Sequence, residues 1–430
     1  MAIKRRPLSW KKKLAFLGVI LAMLAGACEA GSWLALHEFR PGWIADSQRH
    51  IAVLGVARGA RTEAIHPYLG WTHNPDISEG VELGGGTIPI HWLGLADDDW
   101  QIPKRDPLRL IVGVMGGSVA WQMTVLGEKA FKEALQNEWP AKEIVVLRLA
   151  MSGYKQPQQL MELNYLLALG AEFDAVVEID GYNEVALTAA ENNYAGCFAI
   201  YPRTWNARTR DIADPRVYSE SQRLLELRAA RQNLARWICG SPFRKTWTAN
   251  YVWTKLDEYY ASQSVEFGTR LRRHEEAHGW GFASAGPKQL YSDENGMYEN
   301  LRDVWSRCSL QMNGICAANG TKYVHALQPN QYLSGSKPMG PQELSDAVYE
   351  GQECGRTIAR GYPLLIAEGA RLRERGVDFH DLTMLFSDID ERIYVDAYCH
   401  YNSGGNEILA RAVATLLIDA FRASQTAAGD

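Results

Sequence analysis

A serine, an aspartate and a histidine that could together transfer an acyl group stand far apart in this chain. Ser118 closes the run Ile111-Val112-Gly113-Val114-Met115-Gly116-Gly117, where an apolar stretch breaks on two glycines. Asp396 and His400 close Arg392-Ile393-Tyr394-Val395-Asp396-Ala397-Tyr398-Cys399-His400. A hydroxyl is a poor nucleophile until a base takes its proton, and an imidazole base needs a carboxylate to fix its tautomer. Acyl transfer also needs donors aimed at the developing oxyanion. The Asn183 side chain and the backbone N–H groups of Ser118 and Gly153 are the candidates. Gln328 and Asn330, at another strand end, are candidate substrate contacts. Asp396 precedes His400 by four residues and must reach Nδ1 across a turn, so Asp388 and Asp390 are alternative orienting acids.

Each residue also has a plainer explanation. Gly116-Gly117-Ser118 alone fits a strand-to-helix turn with a capping serine. Asn183 fits an Asx turn, Gly153 a turn glycine, Asp396 a strand-end cap and His400 a surface histidine. Their order along a common edge joins them into one site.

That edge is set by the elements. Arg109 to Val114, Ile144 to Leu149, Ala175 to Ile179, Lys322 to Leu327 and Ile393 to Val395 read as five short buried strands. Helical patterns follow Ser118, Pro157 and Ser403. Strands alternating with helices predict an α/β fold with a parallel five-stranded sheet covered on both faces. Ligands of such sheets bind beyond the carboxyl ends of the strands. About 130 residues separate the third and fourth strands, far beyond an ordinary loop. Their periodicity (Ser219 to Trp237, Trp253 to Glu276) predicts a helical insertion over about 190–318, packed near the strand ends as a lid. Residues 38–107 read as an irregular extension, with a solvated acidic run at Asp97-Asp98-Asp99.

Charge is unevenly placed along the 430 residues. Six basic residues and one acid, Glu29, fall in residues 1–36. Taking these from totals of 45 basic and 50 acidic residues leaves 39 against 49, a body net charge of -10. An acidic body argues against a nucleic-acid partner. Lys11, Lys12 and Lys13 run into an apolar stretch from Leu14 to Leu36. It reads as a signal anchor over residues 1–37 with its lysines on the cytoplasmic side. A signal cleaved at Ala25-Gly26-Ala27 and a lipid-attachment site at Cys28 are the alternatives. Each places the body outside the cytoplasm. Some pairing among Cys197, Cys239, Cys308, Cys316, Cys354 and Cys399 is expected there, without an assignable pattern.

His274-Glu275-Glu276-Ala277-His278 fits a zinc-protease helix motif. It follows the charged run Arg270-Leu271-Arg272-Arg273, whereas a metal-bearing helix should be apolar toward its core. A solvated helix of mixed charge is the better reading, and no metal or cofactor is expected.

Four segments, in order over about residues 108–424, resemble the blocks of the SGNH (GDSL-type) hydrolase superfamily. Gly116-Gly117-Ser118 resembles the first, with Gly117 where the family usually has aspartate. Ser152-Gly153 resembles the glycine block. Gly181-Tyr182-Asn183-Glu184 resembles G-x-N-D with glutamate last, and Asp396 to His400 resembles D-x-x-H with one extra residue. These variants, with the anchor and Leu327-Gln328-Pro329-Asn330-Gln331-Tyr332, resemble a bacterial membrane-anchored branch. The resemblance implies a flavodoxin-like three-layer α/β/α sandwich, with Ser118 as nucleophile, His400 as base and Asp396 as orienting acid. It places Ser118, Gly153 and Asn183 in the oxyanion hole. The implied activity is a serine esterase in the bacterial inner membrane, its body in the periplasm. Its expected substrate is an ester-bearing small molecule or an envelope polysaccharide or lipid. An O-acyltransferase using the same triad, and a non-catalytic envelope binding protein on the same scaffold, are the alternatives.

Overall fold

The computed structural model describes residues 9–37, 63–76, 80–213, 215–278, 281–348 and 353–429. The chain divides into two compact units, one of residues 60–209 with 280–430 and one of residues 1–59 with 210–279.

The larger unit opens on two antiparallel hairpins, β1 (Glu63–His66) with β2 (Gly70–His73), and β3 (Val81–Leu83) with β4 (Gly86–Ile88). The sheet follows: β5 (Arg109–Gly116), β6 (Glu143–Arg148), β7 (Ala175–Asp180), β8 (Lys322–Leu327) and β9 (Phe379–Asp381). All neighbours are parallel, in the order β6-β5-β7-β8-β9. All six residues of β7 are buried, as expected of a central parallel strand covered on both faces. Helices Ser118–Leu126, Glu128–Glu138 and Ser403–Gly429 pack into one layer. Gln158–Ala168, Glu294–Ala318 and Glu353–Glu374 form the other. The result is the three-layer α/β/α sandwich with flavodoxin-like strand order. The chain reverses direction across the sheet between β5 and β7, so the crevice beyond their carboxyl ends is the natural ligand position.

Four expectations need correction. The fifth strand is β9, not Ile393 to Val395. That run pairs with the residues that follow it: Val395 N–H donates to His400 O at 3.0 Å and Asn402 N–H to Ile393 O at 2.8 Å, with an antiparallel bridge between Tyr394 and Tyr401. Ile393 and Tyr394 are buried in the core while Val395 is exposed, and this short apolar run has the local pattern of a strand. The inserted segment is shorter than 190–318. Helix Glu294–Ala318 buries Leu301, Trp305, Met312 and Cys316 in the core of the sheet unit. The extension before the sheet is not merely irregular, because Leu69, Trp71, Leu95 and Ala96 join the same core. Its acidic run is not wholly solvated either. Asp97 is buried and accepts from the Arg148 guanidinium at 2.5 Å, the Arg148 N–H at 2.9 Å and the Trp100 indole at 3.0 Å.

The second unit is helical. Pro215–Gly240 and Trp247–His278 form a hairpin closed by Ile238, Trp253 and Leu234. Arg231 grips Asp257 across it with two hydrogen bonds, at 2.5 and 2.9 Å. Helix Trp10–His37 packs along Trp247–His278. Its 27-residue segment Trp10–Leu36, in which an 18-residue window has a mean hydropathy of 2.0, is long and apolar enough to cross a membrane.

Candidate active site

Ser118 begins a helix immediately after β5. Gly116 turns the chain there at φ +135°, and a Cβ at that position would lie 2.1 Å from the Ile179 carbonyl oxygen. Only glycine makes that turn against a neighbouring strand. At the first helical position the Ser118 N–H has no carbonyl four residues back to bond, and the helix dipole favours negative charge beside it.

His400 reaches Ser118 from the hairpin that follows β9. Its Nε2 lies 2.8 Å from Ser118 Oγ and its Nδ1 lies 2.6 Å from Asp396 Oδ2. The three side chains expected to cooperate are therefore in one hydrogen-bonded line. The extra residue between Asp396 and His400 is absorbed by Cys399, whose φ of +65° tightens the turn. Asp396 also accepts from the Tyr398 N–H at 2.8 Å and, more weakly, from the His400 N–H at 3.4 Å. Burial pushes its carboxyl up. The His400 hydrogen bond and charge, with those amides, outweigh burial and hold it below the usual carboxylate range. With Asp396 seated on His400, Asp388 and Asp390 are left exposed.

Two further loops meet Ser118. Met151 to Tyr154 form a turn closed by the Tyr154 N–H on the Met151 carbonyl at 3.0 Å, with Gly153 at φ +86°. Such a value at the third turn position favours glycine. Asn183 follows β7 and opens a π-helical segment, Asn183–Asn193. One of its two amide N–H groups has an acceptor in the Tyr154 carbonyl at 2.8 Å, and the other remains for a ligand. A Cβ on Gly117 would lie 2.2 Å from Asn183 Nδ2. Glycine at that position is what lets the amide sit beside the Ser118 backbone. Ser118, Gly153 and Asn183 thus follow β5, β6 and β7 in turn, with the Asn183 amide beside Gly117.

Gln328 and Asn330 do not line this site. Their side chains are buried, 3% and 0% exposed, which corrects their expected role as substrate contacts. They form the floor of the loop after β8, where Asn330 Oδ1 accepts from the Tyr332 N–H at 3.0 Å. The neighbouring residues do the supporting work that sequence reasoning missed. Gln331 Nε2 donates to the Asp396 carbonyl at 3.0 Å and Tyr332 Oη to the Ala397 carbonyl at 3.0 Å. Glu343 accepts from the N–H groups of Ile393 at 2.9 Å and Tyr394 at 2.7 Å, and pairs with buried Lys337 at 3.1 Å. The polar run at residues 328–332, ending a strand, was the available signal.

Beneath the site Glu184 is buried. It accepts from the N–H groups of Gly181 at 2.8 Å and Gln156 at 3.0 Å, tying the third loop to the second. Burial first, then the Asp180 charge, push its carboxyl up to about 8. Burial likewise pushes the Lys155 ammonium down to about 7, where its Nζ donates to the Ala199 carbonyl at 2.7 Å. The seven cysteines are all free, so the expected pairing is absent. The side chains of the His274-to-His278 motif lie outside the described residues.

No family model matches this chain, and no curated protein matches it. Among solved structures it is similar to an acetyl xylan esterase, at 11% identity and a TM-score of 0.29, over 70% of this chain and 96% of that one. That likeness is too distant to speak to substrate. The class defined by fold and geometry is an α/β sandwich presenting a Ser–His–Asp line at the carboxyl edge of its sheet.

Proposed function

We propose that this chain is a serine esterase of SGNH type, tethered to a membrane by Trp10–Leu36. The observation that carries this reading is the line from Ser118 Oγ through His400 to Asp396, at 2.8 and 2.6 Å. In the proposed reaction Ser118 Oγ attacks the ester carbonyl carbon and gives its proton to His400 Nε2. The carbonyl oxygen, now an oxyanion, takes hydrogen bonds from the Ser118 N–H, the Gly153 N–H and Asn183 Nδ2. Collapse breaks the bond to the alcohol oxygen, which receives the proton from His400 and leaves an acyl-enzyme. Water, deprotonated by the same imidazole, releases the acid and restores Ser118. Asp396 keeps Nδ1 protonated and balances the imidazolium, without itself accepting the proton.

For the substrate we propose a short acyl ester on a cell-envelope glycan or lipid, at the extracytoplasmic face of a bacterial inner membrane. Support for this part is the apolar helix next to a basic cluster, which would keep the unit close to envelope polymers. Labelling of the full chain with a fluorophosphonate tests the nucleophile. Wild type should label and Ser118→Ala should not. Folded wild type that resists labelling would favour the non-catalytic binding reading. Acyl transfer to an added sugar alcohol outrunning hydrolysis would favour the transferase.

A further inference from the structure

Glu29 is an acidic residue in the middle of an apolar helix, and ionisable groups in membrane spans are costly unless partnered. Its partner is specific. The carboxylate accepts from the Trp247 N–H at 2.5 Å, the Thr248 N–H at 3.0 Å and Thr248 Oγ1 at 2.8 Å. Trp247 opens the helix Trp247–His278, so Glu29 caps the first amides of a second helix. Glu29 lies sixteen positions after Lys13, a rise of about 24 Å, which leaves Glu29 within a hydrocarbon layer about 30 Å thick. Backbone amides at that depth must be satisfied by the protein.

The hairpin tip carries further internal hydrogen bonds. Asn250 Nδ2 donates to the Arg244 carbonyl at 2.9 Å and the Thr246 carbonyl at 2.7 Å, and Thr246 Oγ1 accepts from the Ala249 N–H at 3.2 Å. Its outer surface is apolar where water would penalise it: Trp237, Phe243 and Val252 are 70%, 66% and 47% exposed. A groove of about 680 Å³ runs between this surface and the spanning helix, walled by Ala25, Gly26, Ile238, Phe243, Ala249 and Val252. Exposed Arg244 and Lys245 stand in the same turn.

We propose that the hairpin tip, Gly240 to Val252, is embedded in the leaflet opposite Lys11–Lys13, and that its groove holds an acyl chain of a phospholipid whose phosphate meets Arg244 and Lys245. The groove's own wall is the spanning helix, so the medium filling it is the bilayer. Small residues at Ala25 and Gly26 make the hollow, and the paired cations suit an anionic headgroup. The inference rests on the reading of Trp10–Leu36 as a membrane span.

The test uses the full chain in vesicles of phosphatidylethanolamine and phosphatidylglycerol, with a benzophenone amino acid placed singly at Leu21, Phe243 or Tyr194. Intact mass after illumination identifies the adduct. Lipid adducts are expected at positions 21 and 243, and none at the water-facing control 194. An adduct at 21 without one at 243 overturns the embedded tip while the span survives. No adduct at either removes the span as well, and a protein adduct at 243 in place of lipid also overturns the proposal. Glu29→Leu should reduce the adduct at 243 at least five-fold and leave that at 21 unchanged. Glu29→Gln, which keeps an acceptor oxygen, should retain most of it. Ala249→Trp should abolish co-purification of one phospholipid per chain, and retention of that lipid would refute the groove as its seat.

Discussion

The sheet unit holds two hydrogen-bonded lines of the same three residue types, and they differ in almost everything else. In one, Ser118 meets His400 Nε2 and Asp396 meets Nδ1, with the histidine and aspartate side chains 20% and 36% exposed. In the other, Ser309 Oγ lies 2.8 Å from His325 Nδ1 and Asp180 Oδ1 lies 3.0 Å from Nε2, all of them buried. The buried line is inverted on its imidazole and is crowded by Trp305, whose indole N–H donates to Asp180 at 2.8 Å. It lies inside the layer where helix Glu294–Ala318 covers β7 and β8. Residue type and hydrogen-bond distance therefore do not make a nucleophile. On the reading proposed above, exposure and donors placed around an oxyanion would do so, and of the two lines only that of Ser118 is partly open to solvent.

The strongest way to break this comparison is to delete each serine. Ser118→Ala should lower ester hydrolysis by three or more orders of magnitude and leave the unfolding midpoint nearly unchanged. Ser309→Ala should do the reverse, keeping the specific activity of folded protein and losing about 1–3 kcal/mol in urea unfolding. If Ser309→Ala also abolished activity without loss of stability, the two lines would not be functionally separate.

Asp396→Asn removes the charge that orients His400. A fall in kcat of about 10²- to 10⁴-fold is expected, with KM little changed. A near wild-type kcat, measured by initial rates, would return the orienting role to another carboxylate. A smaller effect should follow from Gly117→Ala. The new methyl must displace Asn183, so one of the proposed oxyanion donors would be lost and kcat should fall by about 10- to 10³-fold. Asn183→Ala should match it, and the double variant should be no worse than either alone. Additive losses in that cycle would mean that the two residues act separately.

The mildest prediction concerns pH. The Glu184 carboxyl, raised to about 8, keeps its proton in the folded state over a range where the unfolded chain has lost it. Its contribution is intact below the ordinary carboxylate range and is lost as pH rises toward 8, by at most about 1.4 kcal/mol per pH unit. Urea unfolding of Glu184→Gln between pH 5 and 8 should show a flatter profile than wild type. Asp396 has the opposite sign. Its lowered carboxyl contributes above the ordinary range and that contribution is lost as pH falls through the lowered value. A wild-type profile with no slope on the alkaline side would remove the account of Glu184.

Much of this site could be read from the chain before folding. Ser118, Gly153, Asn183, Asp396 and His400 each stand where an apolar run meets a turn, and four of the five sheet strands carried enough β-branched residues to be seen. The structure joins Ser118, His400 and Asp396 by hydrogen bonds and sets Asn183 beside Gly117. Ile393 to Val395 misled because a partly buried hairpin and a short strand share the same apolar pattern. The true edge strand, Phe379–Asp381, is three residues long and has no period to detect. Gln328 and Asn330 were polar residues at a strand end, and nothing local distinguishes one that faces solvent from one that floors a loop. Glu29 was visible only as a blemish in an apolar stretch, because its partners lie more than two hundred residues away.

By itself, then, the sequence determined the layer architecture, the apolar stretch near the N-terminus and the groups proposed to carry acyl chemistry. Those properties follow from local periodicity and from the reactivity of single side chains. Tertiary structure alone decided which serine and histidine meet in the open and which are sealed in the core. It also decided that Gly117 makes room for Asn183, and that Glu29 caps a distant helix. Each of those depends on distance between segments remote in the chain, which no local pattern encodes.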